Sequence, residues 1–445
     1  MAEPDNRYHL VYVFERFPTF TQTFCVREIL ELERQGIRPL IFSLRDTSEE
    51  PAQSFPESLR DRVHVLPPQK QLCAQVSGLR EAGLLSRKAS RTINERDGQT
   101  DKFRIYEASY IGHYICRHAP YLRHAHCHFA GMAARTLWWL RNFYNFTFSF
   151  TAHANDVFCP APSTPVSRAN LMRDASRIVT VSDYTVRRLS KEYPGAASRI
   201  RKVYNGLDIA PFAAASNNGQ PSGIGSHRIT SVGRLIEKKG FDDLVRASAF
   251  LRDRGVKHTV HIIGDGPLRA GLESQIAAAD LGDTVFLEGE KNQQEIIDIL
   301  AHHTHIFALP CVTEADGGMD NLPTVLMEAM AVGLPCVSTR LAGIPEMIIE
   351  NETGLLTDER QPGPFAAHLE TLLNDESLCH SYGRSGFGLA NARFDKAVTT
   401  QSLQEALISD GPVRLSPSPL VLTTSHIKQL RLRIATRLSR KPPLP

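Results

Sequence analysis

Ile229-Thr230-Ser231-Val232, then Gly233-Arg234-Leu235-Ile236-Glu237-Lys238-Lys239-Gly240, then a helix from Phe241 to about Arg254, then His258 to Ile263, form the stretch that decides the fold. Short β-branched runs bounded by glycine read as strands, and the segment between them is long enough for a helix. Strand, helix, strand at this spacing is a βαβ unit with a right-handed crossover. Downstream, Val285–Gly289, Ile306–Leu309 and Cys336–Ser338 extend the sheet, with helices between. Upstream the same grammar occurs once more. Tyr8–Phe14 is a strand, Phe17-Pro18-Thr19 a loop, Thr23 to about Gln35 a helix stopped at Gly36, and Pro39–Leu44 the next strand. Ala125–Phe129, Asn145–Thr151 and Arg177–Val181 continue it. The chain therefore reads as α/β, with two Rossmann-like, doubly wound parallel sheets. Ligands of such sheets bind beyond the carboxyl ends of the strands.

A chain of 445 residues exceeds one ordinary hydrophobic core, which agrees with two domains. Asn217 to Gly223 is a linker by composition, and residues 47–102 read as polar and irregular. The net charge of +3 is too small to argue for nucleic acid. No apolar run approaches a membrane span, and the N-terminus lacks a cleavable hydrophobic region. The eight cysteines show no CxxC pair, which suggests reduced thiols and a cytoplasmic protein.

The chemistry concentrates at Asp320-Asn321-Leu322-Pro323-Thr324-Val325-Leu326-Met327-Glu328, where two carboxylates stand eight positions apart. Pro323 suits the first helical position, and Gly333 and Pro335 end the helix. One acid then lies on the loop before a helix and the other in its second turn. Between them the helix N-terminus presents free N–H groups to an anion. Two acids for hydroxyl groups around a phosphate site describe a sugar nucleotide.

Gly233-Arg234 and Lys239-Gly240 supply two cations and two glycines at a strand's carboxyl end, as a diphosphate requires; the alternative is a solvated basic loop. Gly264-Asp265-Gly266-Pro267 lacks the dinucleotide pattern and reads as a βα turn that could face the nucleotide. His153 should stand just beyond the strand 149–151. A lone histidine is more often structural, but a strand end strengthens a functional reading. His124, His126 and His128 share one strand face without an evident fourth ligand, so a metal is not favoured. No Walker loop or nucleophile elbow is present. From Ser425 to Lys441 the chain is basic without an acid, and Ile427, Leu430, Ile434 and Leu438 fall on one helical stripe. This suits either a helix lying on anionic lipid or a disordered tail.

In combination these motifs resemble a known family. Gly233-Arg234-Leu235, Lys239-Gly240, Gly264-Asp265-Gly266-Pro267-Leu268, the 320–328 segment and Gly343-Ile344-Pro345-Glu346 occur in the order of the retaining glycosyltransferases of family 4, of GT-B fold. The first half is similar to the branch of bacterial exopolysaccharide enzymes of colanic acid and amylovoran type. It shares Phe17-Pro18, Ala125-His126, His128-Phe129-Ala130, Thr151-Ala152-His153, Val181-Ser182 and Asn205-Gly206-Leu207-Asp208.

The resemblance implies two domains facing across a cleft. Residues 1–215 would bind a glycan or lipid-linked acceptor and 226–393 the nucleotide-sugar donor. A helix at 394–410 would cross back to the first domain, and 411–445 would be a basic tail. The donor would touch Gly233, Arg234, Lys239, Gly264, Gly266, Asp320, Asn321, Leu322, Pro323 and Glu328. His153, Asp320, Arg234 and Lys239 would serve catalysis. Glu328 would hold the ribose, Asp320 the transferred sugar, Arg234 and Lys239 the departing diphosphate. Neither a cofactor nor a metal is implied.

Three departures stand out. Asp320 is a methylene shorter than the family's Glu, Asn321 replaces a common Gly, and Gln22 replaces an acid of the exopolysaccharide branch. The expected function is hexose transfer with retention, in exopolysaccharide or cell-surface glycan synthesis. A sugar-nucleotide epimerase of the same fold and a non-catalytic scaffold are the alternatives. The expected location is the cytoplasm, with peripheral attachment to the inner face of the plasma membrane through residues 425–441.

Overall fold

The computed structural model describes residues 8–19, 22–49, 56–95, 101–160, 163–217, 219 and 227–408. The basic tail expected to meet membrane, and most of the compositional linker, lie outside these residues.

Seven parallel strands form the first sheet: β1 (Leu10–Arg16), β2 (Pro39–Arg45), β3 (Val63–Val65), β4 (His124–His128), β5 (Thr147–Ala152), β6 (Arg177–Thr180) and β7 (Ile200–Lys202). Their spatial order is β3-β2-β1-β4-β5-β6-β7. Six more make the second sheet: β8 (Arg228–Val232), β9 (Thr259–Ile263), β10 (Val285–Gly289), β11 (Ile306–Leu309), β12 (Cys336–Thr339) and β13 (Gly354–Thr357), in the order β10-β9-β8-β11-β12-β13. Both sheets are doubly wound. The strand order reverses between β1 and β4 in the first and between β8 and β11 in the second, and such switch points open ligand crevices.

Helices cover both faces of each sheet, so the strands are buried and mostly apolar on both sides, with one polar face where β4 and β5 pair. In β1, Val11 and Val13 enter the main core, while Tyr12 and Phe14 turn to the opposite face. There they meet Cys25, Val26, Ile29 and Leu32, the buried stripe of the Thr23–Arg34 helix. The spacing of that stripe is the i, i+1, i+4, i+7 pattern of one helical face. Residues 47–102, expected to be irregular, in fact contribute β3 and helices at Glu57–Arg60, Gln69–Glu81 and Arg87–Glu95. The Gln69–Glu81 helix buries Leu72 and Val76, with Cys73 and Leu79 packed beside them, the same i, i+1, i+4, i+7 spacing as the Thr23–Arg34 stripe.

The described residues up to Leu407 form one compact unit. Its two halves meet at the carboxyl ends of their sheets. Ser182, just past β6, donates to Asn321 Oδ1 at 2.8 Å in the loop after β11. Glu346 accepts from the backbone N–H groups of Asp183 at 2.9 Å and Tyr184 at 3.0 Å, and from the Tyr204 hydroxyl at 3.0 Å. These N–H groups open the Asp183–Glu192 helix, so the carboxylate also faces the positive end of the helix dipole. Gly343 stands in the same contact, where a Cβ would lie 2.8 Å from Ser182 Cβ. The Lys396–Ile408 helix returns to the first half. Leu403 and Ala406 pack with Val179 and Val203, Ala397 O accepts from Gln35, and Lys396 pairs with Asp208 at 2.8 Å.

The Glu346 contact predicts a stability effect. Glu346→Ala leaves two helix N–H groups without their charged acceptor and should cost about 2 kcal/mol or more in denaturant unfolding. Glu346→Gln keeps an acceptor oxygen and should cost less. Wild-type stability in Glu346→Ala contradicts the contact's role.

Candidate active site

The second sheet's switch point gathers the residues singled out in the sequence. β8 runs into the Gly233–Gly240 loop, whose last residues form a single turn at Glu237–Lys239. Gly240 then starts the Phe241–Asp253 helix at φ +66°, and a Cβ there would lie 1.8 Å from Pro310 O. Only glycine fits this left-handed, close-packed position. The packing carries the turn toward the segment after β11. Lys239 Nζ donates to Asp320 Oδ2 at 2.5 Å, and Lys238 Nζ lies 3.5 Å from Oδ1. Burial would raise the Asp320 pKa, but Lys239 and Lys238 outweigh it and hold the carboxyl below its usual range. Lys239 is held above its usual value, because Asp320 outweighs the burial that would lower it. Both partners are therefore charged at neutral pH.

Pro323 does not occupy the first helical position as expected. It is the N-cap residue, in extended conformation, and the helix runs Thr324–Ala331. The proline still blocks earlier helix formation, so the helix opens directly after the Asp320 loop. Glu328 lies in its second turn, and burial raises its carboxyl pKa against the pull of Arg27 and Lys239. Asn321 replaces a common glycine without a left-handed φ, and Ser182 accounts for one end of its amide. Arg234 is exposed beside Gly233. Gly264 and Gly266 serve the loop next to them: a Cβ on either would lie 2.0 Å from Gly233 O or 2.6 Å from Leu235 O. Their closeness lets Leu235 N donate to Asp265 O at 2.9 Å and fixes the basic loop.

From the first half, His153 stands at the end of β5, 8% exposed. Its backbone N–H donates to Asp156 Oδ2 at 2.9 Å, which anchors the turn. Burial lowers its pKa, and neighbouring His128 adds to this, so its ring is neutral. His124, His126 and His128 do share one face of β4, but the face is buried under the Thr23–Arg34 helix. His126 bonds Ser149 Oγ at 2.7 Å and Thr151 Oγ1 at 3.1 Å. Glu28, His126 and His128 bring donor atoms within 4.8 Å of one another, supplying the carboxylate that the triplet lacked in sequence. Every imidazole nitrogen of His126 and His128 already has a protein partner, so the group reads as a hydrogen-bond network.

Sequence reasoning missed Arg27 and Glu28, and gave no role to Ser182 or Glu346. Gln22 drew attention instead, yet it is only the N-cap of the helix that carries Glu28. Glu28 borders the buried stripe, three positions after Cys25, and that was its one signal. It lines a cavity with Phe24, Arg27, Tyr204, Lys396 and Thr399.

Two parallel, doubly wound sheets that meet at their carboxyl ends define the GT-B class. Residues 21–210 match the model of Glycosyltransferase Family 4, and residues 219–387 that of glycosyl transferases group 1. Each half of the chain thus matches a glycosyltransferase domain model, and together the two matches cover most of it. It is 46% identical over 180 residues to the amylovoran biosynthesis glycosyltransferase AmsK of Erwinia amylovora, covering 40% of this chain and 44% of that protein. It is 30% identical over 236 residues to a GDP-mannose-dependent alpha-(1-6)-phosphatidylinositol monomannoside mannosyltransferase of Mycolicibacterium smegmatis, covering 50% and 60%. The chain spans about half the length of the curated relatives it matches. Among solved structures it resembles Anabaena HepE in complex with UDP, with TM-score 0.61, 16% identity and coverage of 90% and 99%. A glycosyltransferase from Rickettsia africae gives TM-score 0.66, 14% identity and coverage of 91% and 99%. These likenesses confirm the GT-B fold.

Lys239→Ala should destabilise the protein by about 3 kcal/mol at neutral pH, because it strips a buried carboxylate of its nearest cation. The Asp320 pKa is depressed by folding, so its contribution is present above the unfolded value of about 3.9 and is lost as pH falls through the folded value. The difference between wild type and Lys239→Ala in urea unfolding should therefore shrink below about pH 4. A difference that is absent at neutral pH, or grows on acidification, contradicts the pairing.

Proposed function

We propose that the chain transfers a hexose from a nucleoside-diphosphate sugar to a glycan or lipid-linked acceptor, with retention at the anomeric carbon, in exopolysaccharide or cell-surface glycan synthesis. The observation that carries this reading is the Lys239–Asp320 pair, which joins the basic loop after β8 to the acid that precedes the Thr324–Ala331 helix. The pair supports a donor bound beyond the second sheet's switch point. Glu328 accepts from the ribose hydroxyls, Asp320 and Asn321 address the sugar, and the helix N-terminus after Pro323 receives phosphate oxygens. The relatives' names support the substrate class. One is amylovoran biosynthesis, one names GDP-mannose, and a solved neighbour holds UDP.

As the glycosidic bond breaks, negative charge grows on the leaving diphosphate. Lys239 and the helix N–H groups are held in place beforehand, Arg234 reaches in from the exposed loop beside them, and together they stabilise that charge most in the transition state. These groups supply the positive charge that the reaction needs without a metal. His153 meets the sugar from the first half. The acceptor hydroxyl attacks from the face the diphosphate leaves, and its proton passes to the departing phosphate oxygen. No helix among the described residues is long and apolar enough to cross a membrane. The acceptor is reached instead at the lipid surface, where residues 425–441 draw the protein to anionic headgroups.

Two experiments follow. Arg234→Ala, and Lys239→Ala assayed well below its melting temperature, should each lower donor turnover about a hundredfold, as loss of one preorganised donor does elsewhere. Near-normal turnover in Arg234→Ala refutes its phosphate role. Deleting the residues after Ser425 should reduce co-sedimentation with vesicles rich in anionic lipid and leave donor binding intact. Unchanged co-sedimentation sinks the membrane role.

A further inference from the structure

We propose that Glu28 and His128 are positioning residues for His153: the three side chains form one hydrogen-bonded line that fixes which ring nitrogen of His153 carries its proton and how the ring is turned. The proposal rests on the reading above that His153 meets the donor sugar. Glu28 comes from the Thr23–Arg34 helix, His128 from the end of β4 and His153 from the end of β5. His128 Nε2 lies 3.0 Å from Glu28 Oε1, and His128 Nδ1 lies 3.0 Å from His153 Nε2. Tyr12 OH donates to the same Glu28 oxygen at 2.6 Å. The two imidazoles stack with centroids 5.3 Å apart and planes 21° from parallel, so neither ring can rotate without breaking the contact.

The other histidines of β4 show what a purely structural histidine requires here. His124 bonds Thr147 and Ser149, and His126 bonds Ser149 and Thr151. A hydroxyl donates or accepts as needed and so imposes no tautomer. His128 instead faces a carboxylate, which accepts only, and its Nε2 must carry hydrogen. With His128 neutral, its Nδ1 accepts and His153 is protonated at Nε2. With His128 charged, its Nδ1 donates and His153 is protonated at Nδ1. In either state the line selects one tautomer. Burial works against charge on His128, while the Glu28 carboxylate at its Nε2 favours it and raises its pKa, which favours the second state. A buried ion pair is weak evidence for stability, because desolvation offsets its attraction. Orientation of a reacting imidazole by a carboxylate behind it is a familiar use of such a pair.

The test uses the full chain with 15N-labelled histidine rings and compares wild type with His128→Phe, His128→Asn and Glu28→Gln. Long-range proton–nitrogen spectra should show a single His153 tautomer in wild type and a mixture in His128→Phe. His128→Phe should lower kcat ten- to hundredfold, the range seen when an outer hydrogen-bond partner of a working histidine is lost, with donor KM changed less than about threefold. His128→Asn retains a donor toward His153 and should recover most of that loss. If His128→Phe does not fold, Glu28→Gln carries the test, with an expected three- to tenfold fall in kcat and a shifted tautomer balance. An unchanged tautomer, or wild-type kcat in these variants, overturns the proposal. So does stoichiometric zinc in the purified protein whose removal alters the His128 ring signals. If wild type turns over no donor, the transfer reading fails, while the tautomer spectra still decide the positioning claim.

Discussion

The rest of the candidate site depends on one ion pair. Lys239 and Asp320 are 81 positions apart in sequence and 2.5 Å apart in space. They tie the loop after β8 to the loop after β11, the two strands between which the order of the second sheet reverses. The tie adds to packing that already seats both elements: Gly240 lies against Pro310 O, and the Thr324–Ala331 helix buries Leu326, Met327, Ala329 and Met330. With it, positive charge, helix N–H groups and a second acid share one crevice. The pair also holds Asp320 ionised where burial alone would favour the neutral acid, which keeps its carboxylate an acceptor only.

The junction between the halves is built on the same residues. Asn321 follows Asp320 and bonds Ser182 of the first half, while Glu346 caps the helix that Ser182 begins. The loop after β11 is thus a bearing surface between the two halves. Asn321 at a position where glycine is common does not force the backbone into a left-handed shape. Its amide takes part in the junction, which is a physical reason for a side chain there. Changes in domain arrangement would necessarily alter the surroundings of Asp320.

Much of this was legible in the sequence because it is local. Strand runs, glycine-bounded loops and the 320–328 segment carry their meaning within a dozen residues, and two repeats of one α/β grammar imply two doubly wound parallel sheets, whereas β3, β7, β13 and the strand order emerge only in the structure. The limits were equally physical. Pro323 suits several positions near a helix start, so spacing could not separate the first helical residue from the cap. Between residues 57 and 95 the buried apolar positions are few among many polar ones: Leu59 in the first helix, Leu72 and Val76 in the second, Ala89 and Ile93 in the third. Glu28 meets a histidine 100 positions away, and no local pattern announces such a partner. The glycines at 264 and 266 looked like ligand glycines, but their first duty is to admit the neighbouring loop. His153 was placed correctly at a strand end, while the network behind it required three elements to be seen together.

The central claim is that this crevice holds a nucleoside-diphosphate sugar. Calorimetric titration of the full chain with UDP-, GDP- and dTDP-hexoses, repeated with Glu328→Ala, tests it most directly. The account predicts saturable binding of at least one of these donors by wild type, weakened by loss of the Glu328 carboxylate. Binding of none, or binding indifferent to Glu328, would contradict it.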